Sequence, residues 1–335
     1  MSELINIAVL GAGSWGTALA ALLARNGQQA TLWGRDSTQM KEMAACAENR
    51  RYLSGFDLPK NLAYSSDLMA SVTGVEAILV ATPSHTFRVL LKTLKPLLQP
   101  SQVLICACKG LEVGSGKFIH QIAKEELGLA QELALISGPT FAQEVMRGLP
   151  TAITVASDSA AVAKKVVDWL HGEHFRPYRS SDLVGVELGG ALKNVLAIAA
   201  GIADGLGFGA NTRAALVTRG LAEMMRLGMA LDAKPETLMG LAGMGDLVLT
   251  CTDDLSRNRQ MGLALARGLS VEEALEEIGQ AVEGVKTARE AWLLAQRWQV
   301  DMPIVEQVYR VIYQQHSPKQ AVQDLLSRDP RAEGW

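Results

Sequence analysis

Ile5-Asn6-Ile7-Ala8-Val9-Leu10 runs straight into Gly11-Ala12-Gly13-Ser14-Trp15-Gly16, and an Ala/Leu-rich stretch follows to Ala24. The first six residues are a short apolar, β-branched run, which predicts a strand buried on both faces of a parallel sheet. The stretch after the glycines predicts a helix. A GxGxxG string is weak alone but strong between a strand and a helix. Gly11 permits the tight turn, Gly13 lets backbone approach a pyrophosphate, and Gly16 allows close helix packing. The helix N-terminus adds unpaired N–H groups and positive potential, so the expected occupant is a dinucleotide. Leu4 to Ala24 carries no charge and is long enough to cross a bilayer, yet its interior glycines and the preceding acidic Glu3 argue against a span or a secretory signal.

Working outward, Ala30–Trp33, Glu76–Ala81, Val103–Ala107 and Leu133–Ile136 read as further strands with helical stretches between most of them. Ala152–Ala156 and Phe175–Tyr178 are able to extend the sheet. This alternation predicts an α/β fold with a doubly wound parallel sheet of Rossmann type. After about Asp182 no strand pattern remains. Leu188–Ile202, Ala214–Leu231 and Val271–Ile278 have helical spacing, so the expected domains are residues 1–182, binding a dinucleotide, and residues 183–335, all-α. No linker or internal repeat of solenoid length separates them, and a packed junction of this kind favours a ligand cleft.

At the end of the second strand an NAD-selective site usually carries an acid for the ribose, but the chain reads Gly34-Arg35-Asp36. The Arg35 guanidinium suits a 2′-phosphate and favours NADPH, while Asp36 beside it leaves NADH open. A second glycine string, Gly114-Ser115-Gly116-Lys117, fails as a triphosphate loop. That loop needs glycine where Leu111 stands and Ser or Thr where Phe118 stands, so Lys117 reads as an exposed helix residue.

The chain has 335 residues, 48% hydrophobic and 20% charged, with a net charge of −3. Such a chain buries a sizeable core without staples, and neither disorder nor a disulfide scaffold fits. The charge lacks the basic footprint of a nucleic-acid binder. Four cysteines without a CxxC pair suggest neither zinc nor disulfides, and a reducing cytoplasm fits best. Cys106 and Cys108 alternate within a strand-like run and should share a core-facing side. Cys46 and the tail after Ser327 carry no functional signal.

Lys193 stands out because it lies mid-helix in a run otherwise made of Gly, Ala, Leu, Val and Ile, where an ammonium group needs a partner. Asn194 is its neighbour, and Lys109 follows a strand C-terminus, the edge where open parallel sheets place ligands. Asp246 sits in a glycine-framed turn and is as well suited to capping a helix as to catalysis. Thr250 lies four residues on, able to share its face. Ser256, Arg257 and Asn258 offer a hydroxyl, a forked cation and an amide in succession, a suitable phosphate cradle at a helix start. His85, beside Pro83 and Ser84, is tempting as an acid or base but is equally able to brace a cofactor pocket.

With these residues in place, the chain resembles the NAD(P)-dependent glycerol-3-phosphate dehydrogenases over almost its full length. The carriers are GAGSWGTALA from Gly11, PSH from Pro83, CKGLE from Cys108, ISGPTFA from Ile136, LGGALKN from Leu188, GFGANTRAAL from Gly207, GMGDLVLTCT from Gly243, SRNR from Ser256 and VEG from Val282. The resemblance implies a second domain like the C-terminal domain of 6-phosphogluconate dehydrogenase and a reversible reduction of dihydroxyacetone phosphate to sn-glycerol 3-phosphate, which supplies phospholipid synthesis. It implies NADPH or NADH as cofactor, no metal, no membrane span and a homodimer. It makes Lys193 the general acid and base, meeting Lys109 and Asn194 across the domain cleft, with Asp246 on the substrate or on Lys193. It places Gly138, Thr140, Thr250, Ser256, Arg257 and Asn258 on the substrate. Ser14, Trp15, Lys109, Ala142, Arg257, Ala281 and Glu283 join the glycines on the cofactor, whereas Arg35 stands at a position that varies in the family. Two other readings remain: a reductase of similar layout for another hydroxy acid, of ketopantoate or 6-phosphogluconate type, and a non-catalytic dinucleotide sensor. The first has no use for the phosphate cradle, the second none for Lys193.

Overall fold

Ile7, Val9 and Leu10 are inaccessible to solvent because their strand, β1 (Asn6–Leu10), is covered on both sides by neighbouring strands and helices. The computed structural model describes residues 4–329; Glu3 and the end of the tail after Ser327 lie outside them. The other strands are β2 (Gln29–Trp33), β3 (Glu48–Asn49), β4 (Leu53–Asp57), β5 (Ala63–Ser65), β6 (Ala77–Val80), β7 (Val103–Cys106), β8 (Leu133–Ser137), β9 (Thr151–Ala156) and β10 (Phe175–Ser180). Eight form one sheet in the order β10-β9-β8-β7-β6-β1-β2-β5. The chain builds outward from β1 through β2 and β5, then crosses to β6 and builds the other way. The switch point is therefore the crevice beyond the C-terminal ends of β1 and β6, where open α/β sheets bind ligands.

Seven helices belong with this sheet: α1 (Ser14–Arg25), α2 (Ser37–Cys46), α3 (Leu68–Val72), α4 (Phe87–Leu94), α5 (Ile119–Leu127), α6 (Ala142–Arg147) and α7 (Ala160–Leu170). The predicted parallel arrangement holds from β5 to β8, but β9 runs antiparallel to β8, with Ser137 opposite Thr154. Residues 138–150 join the two strands, with α6 taking six of them, and this connection returns the chain antiparallel along β8. The sequence pattern also missed β5 and the antiparallel ribbon β3–β4, which are short and largely polar. Cys106 is buried at the end of β7, but Cys108 lies beyond the strand, so the shared strand face expected of the two does not reach it. Lys117 is half-buried in the loop before α5 rather than exposed on a helix.

The chain divides into two units, each with its own apolar core. The sheet unit runs to Cys108 and resumes over Ile119–Leu183; the second unit takes Lys109–Phe118 and everything from Val184. The segment 109–118 thus belongs with the helices, unlike in a simple division at residue 182, because Leu111 and Phe118 are buried in the helical core. That unit contains α8 (Leu183–Gly205), α9 (Ala210–Ala230), α10 (Pro235–Leu238), α11 (Asp246–Thr252), α12 (Arg257–Ala266), α13 (Val271–Ile278), α14 (Glu283–Arg297), α15 (Pro303–Tyr313) and α16 (Pro318–Leu326). A π-type turn, Leu241–Gly245, leads into α11. Helix α8 is long and apolar enough to cross a membrane, but 89% of its most apolar window is buried, as suits the central helix of a core.

Candidate active site

In the sheet unit the glycine turn has the shape its sequence implies. Gly11 adopts φ +120°, and a Cβ there would lie 2.8 Å from the Ala81 carbonyl oxygen. At Gly16 a Cβ would fall 1.9 Å from the Gly11 carbonyl oxygen, so neither position admits a side chain. Gly13 differs: a Cβ there would meet nothing within 4 Å, and Gly13 caps α1 without any side-chain hydrogen bond. Open space over bare backbone at a helix N-terminus is what a pyrophosphate requires. Beside it, Trp15 Nε1 and Thr82 Oγ1 are buried without a hydrogen-bond partner, and buried polar atoms of this kind are rarely left unpaired. The residues present therefore fit a dinucleotide.

Other expected cofactor and substrate contacts in this unit fall near strand ends. Ser14 donates its hydroxyl to the Tyr52 carbonyl, 2.7 Å away. Arg35 is exposed just past β2, whereas Asp36 caps α2, accepting from the N–H groups of Thr38 and Gln39. Gly138 follows β8, Thr140 donates to the Gly138 carbonyl at 3.1 Å, and Ala142 opens α6. His85 is exposed on the short turn Ser84–Thr86 beyond β6.

In the helical unit three expected residues form one cluster. Lys193 donates to Asp246 Oδ1 at 2.5 Å and Lys109 donates to Asp246 Oδ2 at 2.7 Å, so two ammonium groups share one carboxylate. Asp246 is fully buried and Lys193 is 8% exposed. Thr250 donates its hydroxyl to the Asp246 carbonyl at 2.6 Å, one helical turn back. Burial pulls the Lys193 pKa down to about 8, with the Lys109 charge adding to the fall and Asp246 opposing it. The cluster carries one net positive charge and holds a base able to exchange protons near neutrality. Lys109 meets Lys193 within one unit, through their common carboxylate, instead of from opposite sides of a domain cleft.

The register that makes this contact depends on Gly189. A Cβ there would lie 2.3 Å from the Ala242 carbonyl oxygen, so the π-type turn rests directly on α8. Gly189 and Lys193 are four apart, as are Ala242 and Asp246; seating the first pair seats the second one turn on. An Ala at a mid-helix Gly normally stabilises by ~0.5–1 kcal/mol. Gly189→Ala is expected instead to lower the melting temperature, by an overpacking cost of ~1–3 kcal/mol, and to reduce kcat about tenfold as Asp246 shifts. Thermal unfolding and steady-state kinetics check this; an unchanged or raised melting temperature would contradict the packing argument.

Ser256 caps α12, accepting from the Arg259 N–H at 3.2 Å, and Arg257 follows it, exposed, with Nη1 3.4 Å from Gln280 Oε1. Asn258 is buried: its Nδ2 donates to Asn194 Oδ1 and its Oδ1 accepts from the Gly284 N–H, both at 2.9 Å. The two amides thus tie the start of α14, where Glu283 stands half-buried behind the exposed Ala281, to α8. The polar string was legible as a helix start; that Asn258 spends its carbonyl oxygen inside the unit was not. Sequence reasoning also missed Gly189, for which a glycine inside an apolar helix was the available signal, and the Arg50-Arg51-Tyr52 tip of the β3–β4 ribbon.

Residues 6–163 match the N-terminal family model of NAD-dependent glycerol-3-phosphate dehydrogenase, and residues 182–323 match its C-terminal counterpart. The chain belongs to this family. It is 58% identical to the glycerol-3-phosphate dehydrogenase [NAD(P)+] of Thioalkalivibrio sulfidiphilus over 98% of both chains, and 54% identical to that of Pseudoalteromonas translucida over 98% of both. The crystal structure of glycerol-3-phosphate dehydrogenase from Coxiella burnetii superposes with a TM-score of 0.94 at 47% identity, covering 97% of this chain and 99% of that one. A ketopantoate reductase from Ralstonia eutropha, the kind of rival the fold leaves open, reaches a TM-score of 0.59 at 17% identity and shares the fold alone.

Proposed function

We propose that the lysine pair on Asp246 is the proton-transfer centre of a glycerol-3-phosphate dehydrogenase. The protein reduces dihydroxyacetone phosphate to sn-glycerol 3-phosphate, reversibly, with a nicotinamide dinucleotide. The sheet unit holds the dinucleotide in the Gly11–Gly16 cradle, and the helical unit holds the substrate. When bound, the cofactor supplies a hydride to the ketone carbon. Lys193, as an ammonium, stabilises the negative charge that develops on the ketone oxygen and donates its proton there; in the oxidation the neutral amine takes the hydroxyl proton back. Asp246 orients Lys193, and Lys109 leaves the cluster with the excess positive charge that an alkoxide and a phosphorylated substrate require. Arg257, with Ser256 and Asn258, receives the substrate phosphate at the start of α12.

The single observation that carries this reading is the buried carboxylate shared by two lysines. Arg35 supports NADPH over NADH, since its exposed guanidinium follows β2 where a 2′-phosphate would be read. A cytoplasmic homodimer acting in glycerophospholipid synthesis completes the proposal, on the family resemblance.

The pH dependence has opposite signs in the two directions. Reduction uses the ammonium form, so its rate falls as pH rises through about 8; oxidation uses the amine, so its rate climbs over the same range. Initial rates with dihydroxyacetone phosphate and with glycerol 3-phosphate between pH 6 and 10 check this. Parallel profiles would contradict the role of Lys193, and better turnover of ketopantoate than of dihydroxyacetone phosphate would overturn the substrate.

A further inference from the structure

We propose that Arg51, at the tip of the β3–β4 ribbon, recognises the 2′-phosphate of NADPH together with Arg35 and is the main determinant of cofactor choice. This rests on the NADPH reading above and deepens it. The ribbon is pinned to the glycine turn: fully buried Asn49 donates to the Ala12 carbonyl at 3.0 Å and to Thr17 Oγ1 at 2.7 Å, and Ser14 donates to the Tyr52 carbonyl. Asn49 Oδ1 in turn accepts from the Tyr52 N–H at 3.2 Å. Residues 50–52 are therefore held beside the cradle by the residues that form it.

From that tip Arg51 reaches the end of β2. Its Nη1 lies 3.4 Å from Asp36 Oδ2, and its guanidinium lies 5.2 Å from the centroid of the Tyr52 ring. Asp36 is the residue a ribose 2′-hydroxyl would otherwise use. Its Oδ1 is engaged by the N–H groups of Thr38 and Gln39, and its Oδ2 faces Arg51. To serve NADH, Oδ2 would have to exchange the Arg51 guanidinium for a ribose hydroxyl, while Oδ1 stays on the helix cap. Arg35, Asp36 and Arg51 together carry one net positive charge, and Arg51 remains 62% exposed, able to turn its free edge to a dianion. A forked guanidinium suits phosphate better than a point charge does.

The test is isothermal titration of the full chain with 2′,5′-ADP and 5′-AMP, which differ only in the 2′-phosphate. The wild type is expected to bind 2′,5′-ADP more tightly. Arg51→Ala should cut that preference about ten- to a hundredfold while 5′-AMP affinity changes less than about threefold. Arg51→Lys should fall between. Asp36→Asn, which keeps a capping side chain, should retain or widen the preference. If the wild type does not discriminate between the two ligands, the NADPH reading itself fails. If it discriminates and Arg51→Ala does so equally well, the reading stands and the assignment to Arg51 is wrong. Equal losses for both ligands would make Arg51 a brace of the ribbon and overturn the assignment too.

Discussion

Lys193→Ala is expected to lower turnover with dihydroxyacetone phosphate by two to four orders of magnitude, the usual worth of a positioned acid–base group. The side chain does two things in one step: its charge answers the oxygen that becomes anionic, and its proton ends the reaction there. Ala supplies neither, and water admitted to the space offers a far weaker acid. Folding should be little affected, because Lys109 still pairs with Asp246 and the cost of burying one of two ammonium groups disappears. Affinity for 2′,5′-ADP should be retained, since the Gly11–Gly16 cradle belongs to the sheet unit. Steady-state kinetics with titration of the nucleotide separate these effects, and an added small alkylamine should restore part of the lost rate. Full turnover in Lys193→Ala would end the proposed mechanism.

Asp246→Asn should have the second largest effect, and a more complex one. The amide keeps the shape and one acceptor oxygen but removes the charge that opposes Lys193 deprotonation. The Lys193 pKa then falls below about 8, so at pH 7 a larger fraction is the neutral amine, and reduction is expected to slow about a hundredfold. The pH at which reduction declines should move to lower values, which a loss of shape alone would not do. Stability should drop by ~3–5 kcal/mol, the cost of breaking a buried pair, less what the neutral amine recovers. The linkage has a definite sign. A lysine whose folded pKa lies below its unfolded 10.5 binds fewer protons when folded, so stability rises with pH between those values. Between its own lowered pKa and about 8 the variant binds fewer protons than the wild type, so the gap between them should narrow as pH rises through that window. Denaturation at pH 6.5 and 8.5 checks the narrowing. A reduction profile with an unmoved decline would show that Asp246 does not govern the Lys193 proton.

Much of this site was legible along the chain because its signals are local. Three glycines between a strand and a helix announce a turn that backbone sterics alone demand, and Gly11 and Gly16 confirm it by the collisions any Cβ would suffer. A lysine inside an apolar helix announces a buried charge in need of a partner. The Val271–Ile278 helix was readable from the spacing of its apolar residues, and in the structure Ser270 and Glu273 cap its start reciprocally.

Other features depend on residues far apart in sequence. Asp246 by itself read equally well as a helix cap, and the resemblance left it on the substrate or on Lys193; the fold, with Gly189 seated on the Ala242 carbonyl, puts it on Lys193, 53 residues away, and on Lys109, 137 away. Asp36 likewise takes a role that the sequence reading did not give it, its Oδ1 capping α2 by accepting from the N–H groups of Thr38 and Gln39. The reversal of β9, the capture of residues 109–118 by the helical core and the ribbon that carries Arg51 to the glycine turn have the same origin. Residue order determines which short segments become strands, turns and helices, since those follow from dihedral preferences and from the period of apolar side chains. Which strand lies beside which, and which charge neutralises which, is settled when the chain closes on itself: a hydrogen bond or ion pair between distant residues has no trace in the local pattern of either.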